Sequence, residues 1–171
     1  MDFHKTTTIG FDDSFQGFQL SDGSIVNVRI LDTCGQEKFK ALNEYYYKDA
    51  DCCLLVYAID DEASFERIKN YYIGKLKEYN KKIIKVMLIG NKTDLDKDKE
   101  REVSIEEGTN LAEKHGFIFK ETSCVDNYNV ADAFATIIEM TNSEMYRTER
   151  VSTRFKLTDK NKKNQKKNKR C

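Results

Sequence analysis

The sequence lacks any apolar stretch long enough to cross a lipid bilayer. Its longest apolar runs, such as residues 52–58, have the length of a β-strand. The first residues also lack the positively charged start, apolar segment and small-residue cleavage site of a secretory signal peptide. A membrane-spanning or secreted protein is therefore not indicated, and we expect the chain to be cytoplasmic.

The cysteines lack the number and spacing that disulfide frameworks and zinc sites require. There are five, an odd number, and they are Cys34, Cys52, Cys53, Cys124 and Cys171. We therefore expect no disulfides. Because cysteine is among the residue types most often buried, we interpret the first four as structural thiols.

The net charge is zero, but the two signs are unevenly distributed. The last twelve residues, 160–171, carry seven basic side chains and no acidic one. Removing them from the 29 basic residues leaves 22 against 29 acidic residues, so the rest of the chain carries about −7. The basic segment has no apolar residues besides its final cysteine, and we expect residues 149–171 to be a disordered tail that favours anionic membranes. No aromatic residues interleave these lysines, so nucleic-acid binding is not expected.

The first part of the chain has the pattern of two strands joined by a tight turn. Apolar residues recur through 9–20 and 25–31, and Asp22-Gly23 lies between them. Because Asp-Gly is a strong hairpin signal, residues 9–32 are predicted to form an antiparallel hairpin.

From residue 52 onward, apolar strands alternate with amphipathic helices. The continuous apolar run at 52–59 is typical of a strand buried on both faces of a parallel sheet. Residues 83–89 are predicted to form another buried strand, and residues 117–122 a short strand. Asp61 is predicted to cap the first helix, Ser104 with Glu107 to form a capping box, and Gly116 to end the second helix. The helical stripes are Phe65, Ile68, Tyr72, Leu76 and Tyr79 in the first helix, and Val130, Ala133, Phe134, Ile137, Ile138 and Met145 in the last. The alternation predicts an α/β fold with a mainly parallel sheet flanked by helices.

Three polar segments follow predicted strands, where ligands bind in such sheets. The first is Asp32-Thr33-Cys34-Gly35-Gln36. Its aspartate can hold Mg²⁺ through water, its glycine amide can approach a terminal phosphate, and its glutamine can orient an attacking water.

The second and third segments suit a guanine base. In Asn91-Lys92-Thr93-Asp94, the final carboxylate can accept hydrogen bonds from the N1 and N2 groups of guanine, a donor pair that adenine lacks. In Ser123-Cys124-Val125, a backbone amide can donate to the guanine carbonyl. Asp-x-x-Gly alone occurs by chance in many chains, and Asn-Lys-x-Asp after a buried strand is more specific. The three segments together, in this order, are hard to obtain by chance.

These segments resemble the small GTPases, and within them the Rab family. Further similarity lies in Thr8-Ile9-Gly10-Phe11-Asp12, in 45–50, in 121–124 and in 127–134, so that it covers about residues 6–145. The resemblance implies a P-loop NTPase-like G domain in residues 1–148 that binds GTP or GDP with Mg²⁺ and acts as a switch in vesicle-mediated traffic. It assigns Thr8 and Asp32 to the metal, Gln36 to catalysis, and the nucleotide to Thr8, Asp32, Gly35, Asn91, Lys92, Asp94, Ser123, Cys124 and Val125.

The sequence departs from the family in its phosphate-binding loop. The pattern Gly, four residues, Gly-Lys and Ser or Thr is not present. We therefore expect an incomplete G domain without the first, central strand, the P-loop and the first helix, in which the strands on either side lie about 10 Å apart. As written, the chain is expected to have little or no GTPase activity. The alternative is a non-enzymatic interaction module, or an inert truncated product, that does not bind GTP.

The resemblance also implies partners and a membrane. The family acts with effectors, an exchange factor, a GTPase-activating protein and escort or dissociation factors. Cys171 after the basic tail suggests prenylation, which would place the protein on the cytosolic face of endomembranes. A lone final cysteine is, however, neither the family's usual cysteine pair nor a CaaX box. Val125 stands where the base loop usually has lysine.

Overall fold

The computed structural model describes residues 11–33, 50–79, 85–98 and 100–145. The strands are β1 (Phe11–Gln19), β2 (Ile25–Thr33), β3 (Cys52–Ala58), β4 (Lys85–Asn91) and β5 (Ile118–Glu121). The helices are α1 (Glu62–Arg67), α2 (Ile73–Tyr79), α3 (Ile105–His115) and α4 (130–145). A π-helical stretch, Ile68–Tyr72, joins α1 to α2, and a 3-10 turn, Thr93–Asp98, follows β4. This order confirms the predicted α/β class.

The strands form two separate sheets. β1 and β2 pair antiparallel, with Phe15 opposite Arg29, which confirms the predicted hairpin. β3, β4 and β5 form a parallel sheet in that order. Within the described residues β2 pairs with β1 alone and β3 with β4 alone, so the predicted mixed sheet is divided at the place where a gap was expected.

Two apolar clusters cover the two faces of the parallel sheet. One lies under α1, the π-helical stretch, α2 and α3, and contains Leu55, Tyr57, Ile59, Phe65, Ile68, Ile73, Leu76, Val86, Leu88, Val103, Leu111 and Ala112. The other contains Leu20, Met87, Ile89, Ala133, Ile137 and Ile138, and so joins the sheet to α4 and the hairpin. The ring of Phe18 stacks on that of Phe134 with centroids 6.2 Å apart. The hairpin is therefore held by side-chain packing on α4.

Two burial predictions were wrong. β3 was predicted to be buried on both faces, but Val56 is 53% exposed because no described element packs over that end of the strand. Met145 was placed on the buried stripe of α4, yet it is 49% exposed. It lies at the last described turn of the helix, beyond the part that packs on Met87 and Ile89.

The helical segment after β3 departs from a regular α-helix. Asp61 caps it as predicted, since its side chain accepts a hydrogen bond from the Ser64 amide. The amide of Ile73 then donates to the carbonyl of Ile68, five residues earlier, and this shifts the following residues by one position. Ile73 is therefore fully buried, whereas Tyr72, which the regular period predicted to be in the core, is only half-buried.

The caps of α3 agree with the sequence. Ser104 and Glu107 form the predicted reciprocal capping box. Gly116 has φ 68°, a left-handed conformation that favours glycine, and it ends the helix. These caps fix both ends of α3 and with it the loop that enters β5. Among the described helices, none has the length and apolar character needed to cross a bilayer.

Candidate functional site

The carboxyl ends of β4 and β5 bring two of the predicted segments together. The amide of Thr122 donates to the carbonyl of Gly90 at 2.9 Å, and the amide of Thr93 donates to the carbonyl of Thr122 at 3.2 Å. These bonds join the residues that follow the two strands. The segments 91–94 and 123–125 therefore lie side by side.

Ser123 connects the two segments directly. It is 1% exposed, and its Oγ donates to Asp94 Oδ1 at 2.6 Å while accepting from the Asp126 amide at 3.0 Å. Ser123 and Tyr128 also exchange two backbone hydrogen bonds, which close the loop between them. The orientation of the Asp94 carboxylate is therefore fixed by a buried hydroxyl. Its second oxygen accepts no hydrogen bond from the described residues, so it remains able to accept one from a ligand.

Asn91 holds the neighbouring strand ends. Its Oδ1 accepts from Thr122 Oγ1 at 3.0 Å and from Cys124 Sγ at 3.7 Å, and its carbonyl accepts from the Ile59 amide at 2.9 Å. Asn91 thus contacts residues that follow β3 and β5 as well as its own strand. Its role within the described residues is to keep the three strand ends in place.

Lys92 has a partner that the sequence did not indicate. Its Nζ lies 2.9 Å from both carboxylate oxygens of Asp60, which follows β3. The backbone of Lys92 has φ 72°, a left-handed conformation that is unusual for a residue with a side chain. The only available signal for Asp60 was its place as the first polar residue after a buried strand.

The loop after β5 presents exposed side chains. Val125 is 80% exposed and Tyr128 is 55% exposed. Cys124 is also exposed, so its interpretation as a buried structural thiol was wrong. Asn127 and Asn129 have φ 52° and φ 57°, which turn the chain back toward α4. The loop is therefore closed at its base by Ser123 and Tyr128, and it exposes the side chains of Cys124 and Val125.

Arg101 contacts residues next to both segments of the site, and the sequence pattern did not indicate it. Its guanidinium contacts Glu121 Oε1 at 2.8 Å, Asp96 Oδ1 at 2.8 Å and the carbonyl of Val103 at 2.9 Å. The hydrogen bonds that Arg101 donates to Glu121, and secondarily to Asp96, raise the pKa of Arg101 above its ordinary value. By contacting both Asp96 and Glu121, Arg101 joins the 3-10 turn that carries Asp94 to the end of β5. These contacts limit the relative movement of the segments 91–94 and 123–125.

The remaining predicted residues are not assembled with these. Asp32 is exposed on β2, opposite Asp12, and belongs to a different sheet from Asn91. Thr8, Gly35, Gln36 and Cys171 lie outside the described residues, as does the tail. Within the described part of the chain, no three His, Cys, Asp or Glu side chains are grouped to hold a metal ion. The described residues therefore include the predicted base-recognition end, and both ends of the site remain predictions.

Comparison with known proteins agrees with this arrangement. The sequence model of the Ras family matches residues 2–143. The chain belongs to the Ras family. Its relatives within that family include Rab proteins: it is 38% identical over 153 residues to the Ras-related protein RABA5c of Arabidopsis thaliana, and 37% identical over 155 residues to RABA5d of the same plant. It is also 41% identical over 131 residues to the GTP-binding protein yptV2 of Volvox carteri.

The matched regions cover these relatives unequally. They include 90% of the chain and 70% of RABA5c, 85% of the chain and 69% of RABA5d, and 77% of the chain and 59% of yptV2. The chain thus spans about three fifths of the yptV2 length. It is a Rab-family small GTPase of the Ras superfamily with a Ras-type α/β fold, and this confirms the resemblance on which the sequence predictions rest.

Proposed function

We propose that the chain recognises guanine nucleotides through Asp94 and the 123–125 loop, as part of a Rab-type GTP/GDP switch in vesicle-mediated membrane traffic. The observation that supports this is the buried hydrogen bond from Ser123 Oγ to Asp94 Oδ1. It holds a carboxylate at the carboxyl end of the sheet with one oxygen available to a ligand. Guanine presents two adjacent donors, N1 and the exocyclic N2, and a fixed carboxylate accepts both.

The residues around Asp94 fit a base. Val125 and Tyr128 expose apolar surface on the loop that begins at Ser123, the residue that holds the carboxylate, and Thr122 donates a hydrogen bond to Asn91. A flat heterocycle needs such a combination of apolar walls and a few oriented polar atoms. Asp94, Lys92 and Asn91 would hold the base, with a backbone amide of the Ser123–Val125 loop on its carbonyl.

The base specificity can be tested by replacing one carboxylate oxygen of Asp94 with an amide nitrogen. In Asp94→Asn one oxygen becomes an amide donor, which opposes guanine N2 but complements the second carbonyl of xanthine. The full chain should bind GDP more tightly than ADP, and Asp94→Asn should lose GDP binding and gain binding of xanthosine diphosphate. Isothermal titration calorimetry measures all three ligands.

Asp13→Asn is the matched control, because Asp13 pairs with Arg29 in the hairpin and so belongs to a different sheet from the site. It should keep the preference for GDP. Equal binding of GDP and ADP by the wild-type chain would show that Asp94 does not read the base.

At the phosphate end the proposal relies on Asp32 and on residues outside the described part of the chain. Thr8 with Asp32 would meet Mg²⁺, Gly35 would contact the terminal phosphate and Gln36 would orient the attacking water. Because the sequence contains no Gly-x-x-x-x-Gly-Lys-Ser/Thr, a second candidate is a non-enzymatic interaction module. Titration with GTP and Mg²⁺ separates the two: binding at micromolar concentration or tighter favours the switch, and no binding favours the module.

The tail supports a membrane location for the same switch. Seven basic residues within 160–171 gain about 1 kcal/mol each near anionic lipid, and a prenyl group on Cys171 would add the second signal that stable anchoring needs. We propose a peripheral location on the cytosolic face of endomembranes, together with Rab-type effectors and regulators. The full chain should sediment with vesicles containing phosphatidylserine but not with phosphatidylcholine alone, and added salt should weaken this binding.

A further inference from the structure

The ion pair between Lys92 and Asp60 is the part of the site that base recognition by Asp94 leaves without a role. Both oxygens of Asp60 lie 2.9 Å from Lys92 Nζ, and the two side chains are only partly exposed, at 43% for lysine and 22% for aspartate. The pair is therefore partly shielded from water.

The sheet brings the two residues together. β3 and β4 pair in parallel with Ala58 opposite Asn91, and the amide of Ile59 then donates to the carbonyl of Asn91 at 2.9 Å. Asp60 and Lys92 each follow these last bonded residues by one position. Their backbones are held by the sheet, so the ion pair adds a constraint on the lysine side chain and does not serve to join the strands.

The backbone of Lys92 points to the same conclusion. Its φ of 72° is unfavourable for a lysine, and glycine or asparagine would adopt it more easily. Strained backbone at a strand end is retained where the direction of a side chain matters. Here the left-handed turn sends the chain into the 3-10 segment that carries Asp94, while the side chain of Lys92 extends in the opposite direction along the edge, toward β3.

The resulting order along the edge places the lysine beside the base-recognition pair. Because the strand order is β3, β4, β5, Asp60 lies on one side of Lys92, and Asp94 with Ser123 lies on the other. An extended lysine stem offers four methylene groups as a smooth apolar surface when its ammonium is anchored at the far end. Without the anchor, this long side chain would sample many rotamers, and ordering it on binding would cost entropy.

We propose that Asp60 is a positioning residue for nucleoside binding: it anchors the Lys92 ammonium so that the lysine stem forms a preordered wall of the base site. This rests on the proposed recognition of guanine by Asp94. Asp60 contacts Lys92 and acts through it.

The ion pair also masks the positive charge of Lys92, and the test must distinguish this effect from positioning of the lysine stem. If Asp60 served only to mask the lysine charge, its removal would free an ammonium to attract phosphates. Masking predicts that Asp60→Asn binds GDP more tightly and guanosine unchanged. Positioning predicts that guanosine and GDP are both weakened by a similar factor, because the lost wall is common to the two ligands.

The experiment measures guanosine and GDP binding to the full chain by calorimetry for wild type, Asp60→Asn and Asp60→Glu. We expect Asp60→Asn to weaken both ligands by about three- to five-fold, as for a partly shielded ion pair. Asp60→Glu keeps the charge and should recover most of the loss. Tighter GDP binding, or a loss that glutamate does not reduce, would overturn the proposal.

Asp13→Asn is the matched control, because Asp13 forms an ion pair with Arg29 in the hairpin, which belongs to a different sheet from the site. It should leave both affinities unchanged, and circular dichroism should show that all variants fold alike. If the wild-type chain binds neither guanosine nor GDP, the proposed function fails together with this inference. If it binds both and Asp60→Asn does not differ from the control, only the positioning role is wrong.

Discussion

Replacing Ser123 by alanine tests the hydrogen bond that connects the two segments of the site. Its hydroxyl is fully buried and serves two partners, the Asp94 carboxylate at 2.6 Å and the Asp126 amide at 3.0 Å. Alanine fills nearly the same space but offers neither a donor nor an acceptor. The variant therefore loses both bonds with little change in packing.

The expected magnitude follows from these two bonds. A hydrogen bond to a charged group contributes about 1.5–3 kcal/mol and a neutral one about 0.5–1.5 kcal/mol. Asp94 is only partly buried, so water replaces part of the lost bond and the lower value applies to it. We expect Ser123→Ala to lower the free energy of unfolding by about 2–3 kcal/mol, and the melting temperature by about 5–10 °C for a chain of this size.

The free energy of unfolding is measured by urea titration followed by circular dichroism. Ser143→Ala is the control, because the Ser143 hydroxyl is exposed and donates only to Glu139 in its own helix. It should change stability by less than about 0.5 kcal/mol. A double-mutant cycle with Asp94→Ala should give a coupling of about 1 kcal/mol or more. A Ser123→Ala loss no larger than that of the control, or no coupling, would refute the connection between the two segments.

Three further predictions concern the rest of the fold. Gly108→Ala should destabilise the chain by about 1–3 kcal/mol, because a Cβ there would lie 2.6 Å from the ring of Phe119. Gly74→Ala, where a Cβ would have no atom within 4 Å, should stabilise the chain by up to about 1 kcal/mol. Urea unfolding compares the two variants. Iodoacetamide at pH 8, read by mass spectrometry, should modify exposed Cys124 well before Cys53, because burial raises the pKa of the Cys53 thiol to about 12. Hydrogen bonds from Ser104 lower the pKa of Glu107 below 4.5. The stability that the Glu107 carboxylate contributes is therefore present above pH 4.5 and is lost as the pH falls through the lowered pKa. Glu107→Gln should reduce this acid sensitivity of the urea midpoint.

Local signals in the sequence predicted the elements well where one residue type determines the backbone. Asp22-Gly23 indicated the hairpin turn, and Ser104 with Gly116 indicated the two ends of α3. The adjacency of 91–94 and 123–125 was also predictable, because parallel strands end at one edge of a sheet.

Other features depend on contacts that no local pattern encodes. The five-residue step to Ile73 breaks the regular helical period, so Ile73 is fully buried where the sequence predicted Tyr72, which is only half-buried. Asp60 and Arg101 act through partners 32 and 20 residues away. Their roles become visible only when the strand ends are brought together in three dimensions.

Because of the π-helical stretch, the segment after β3 can lose one residue and still place its apolar side chains in the core. A π turn holds one more residue than an α turn, so removing Lys69 or Asn70, both exposed, would change the spacing between Ile68 and Ile73 from five to four. Four is the spacing at which a regular α-helix aligns two side chains on one face. A chain shorter by one residue here would therefore keep the same core. Where the sequence of a relative has one residue fewer at this point, we expect a shorter helix with the same packing.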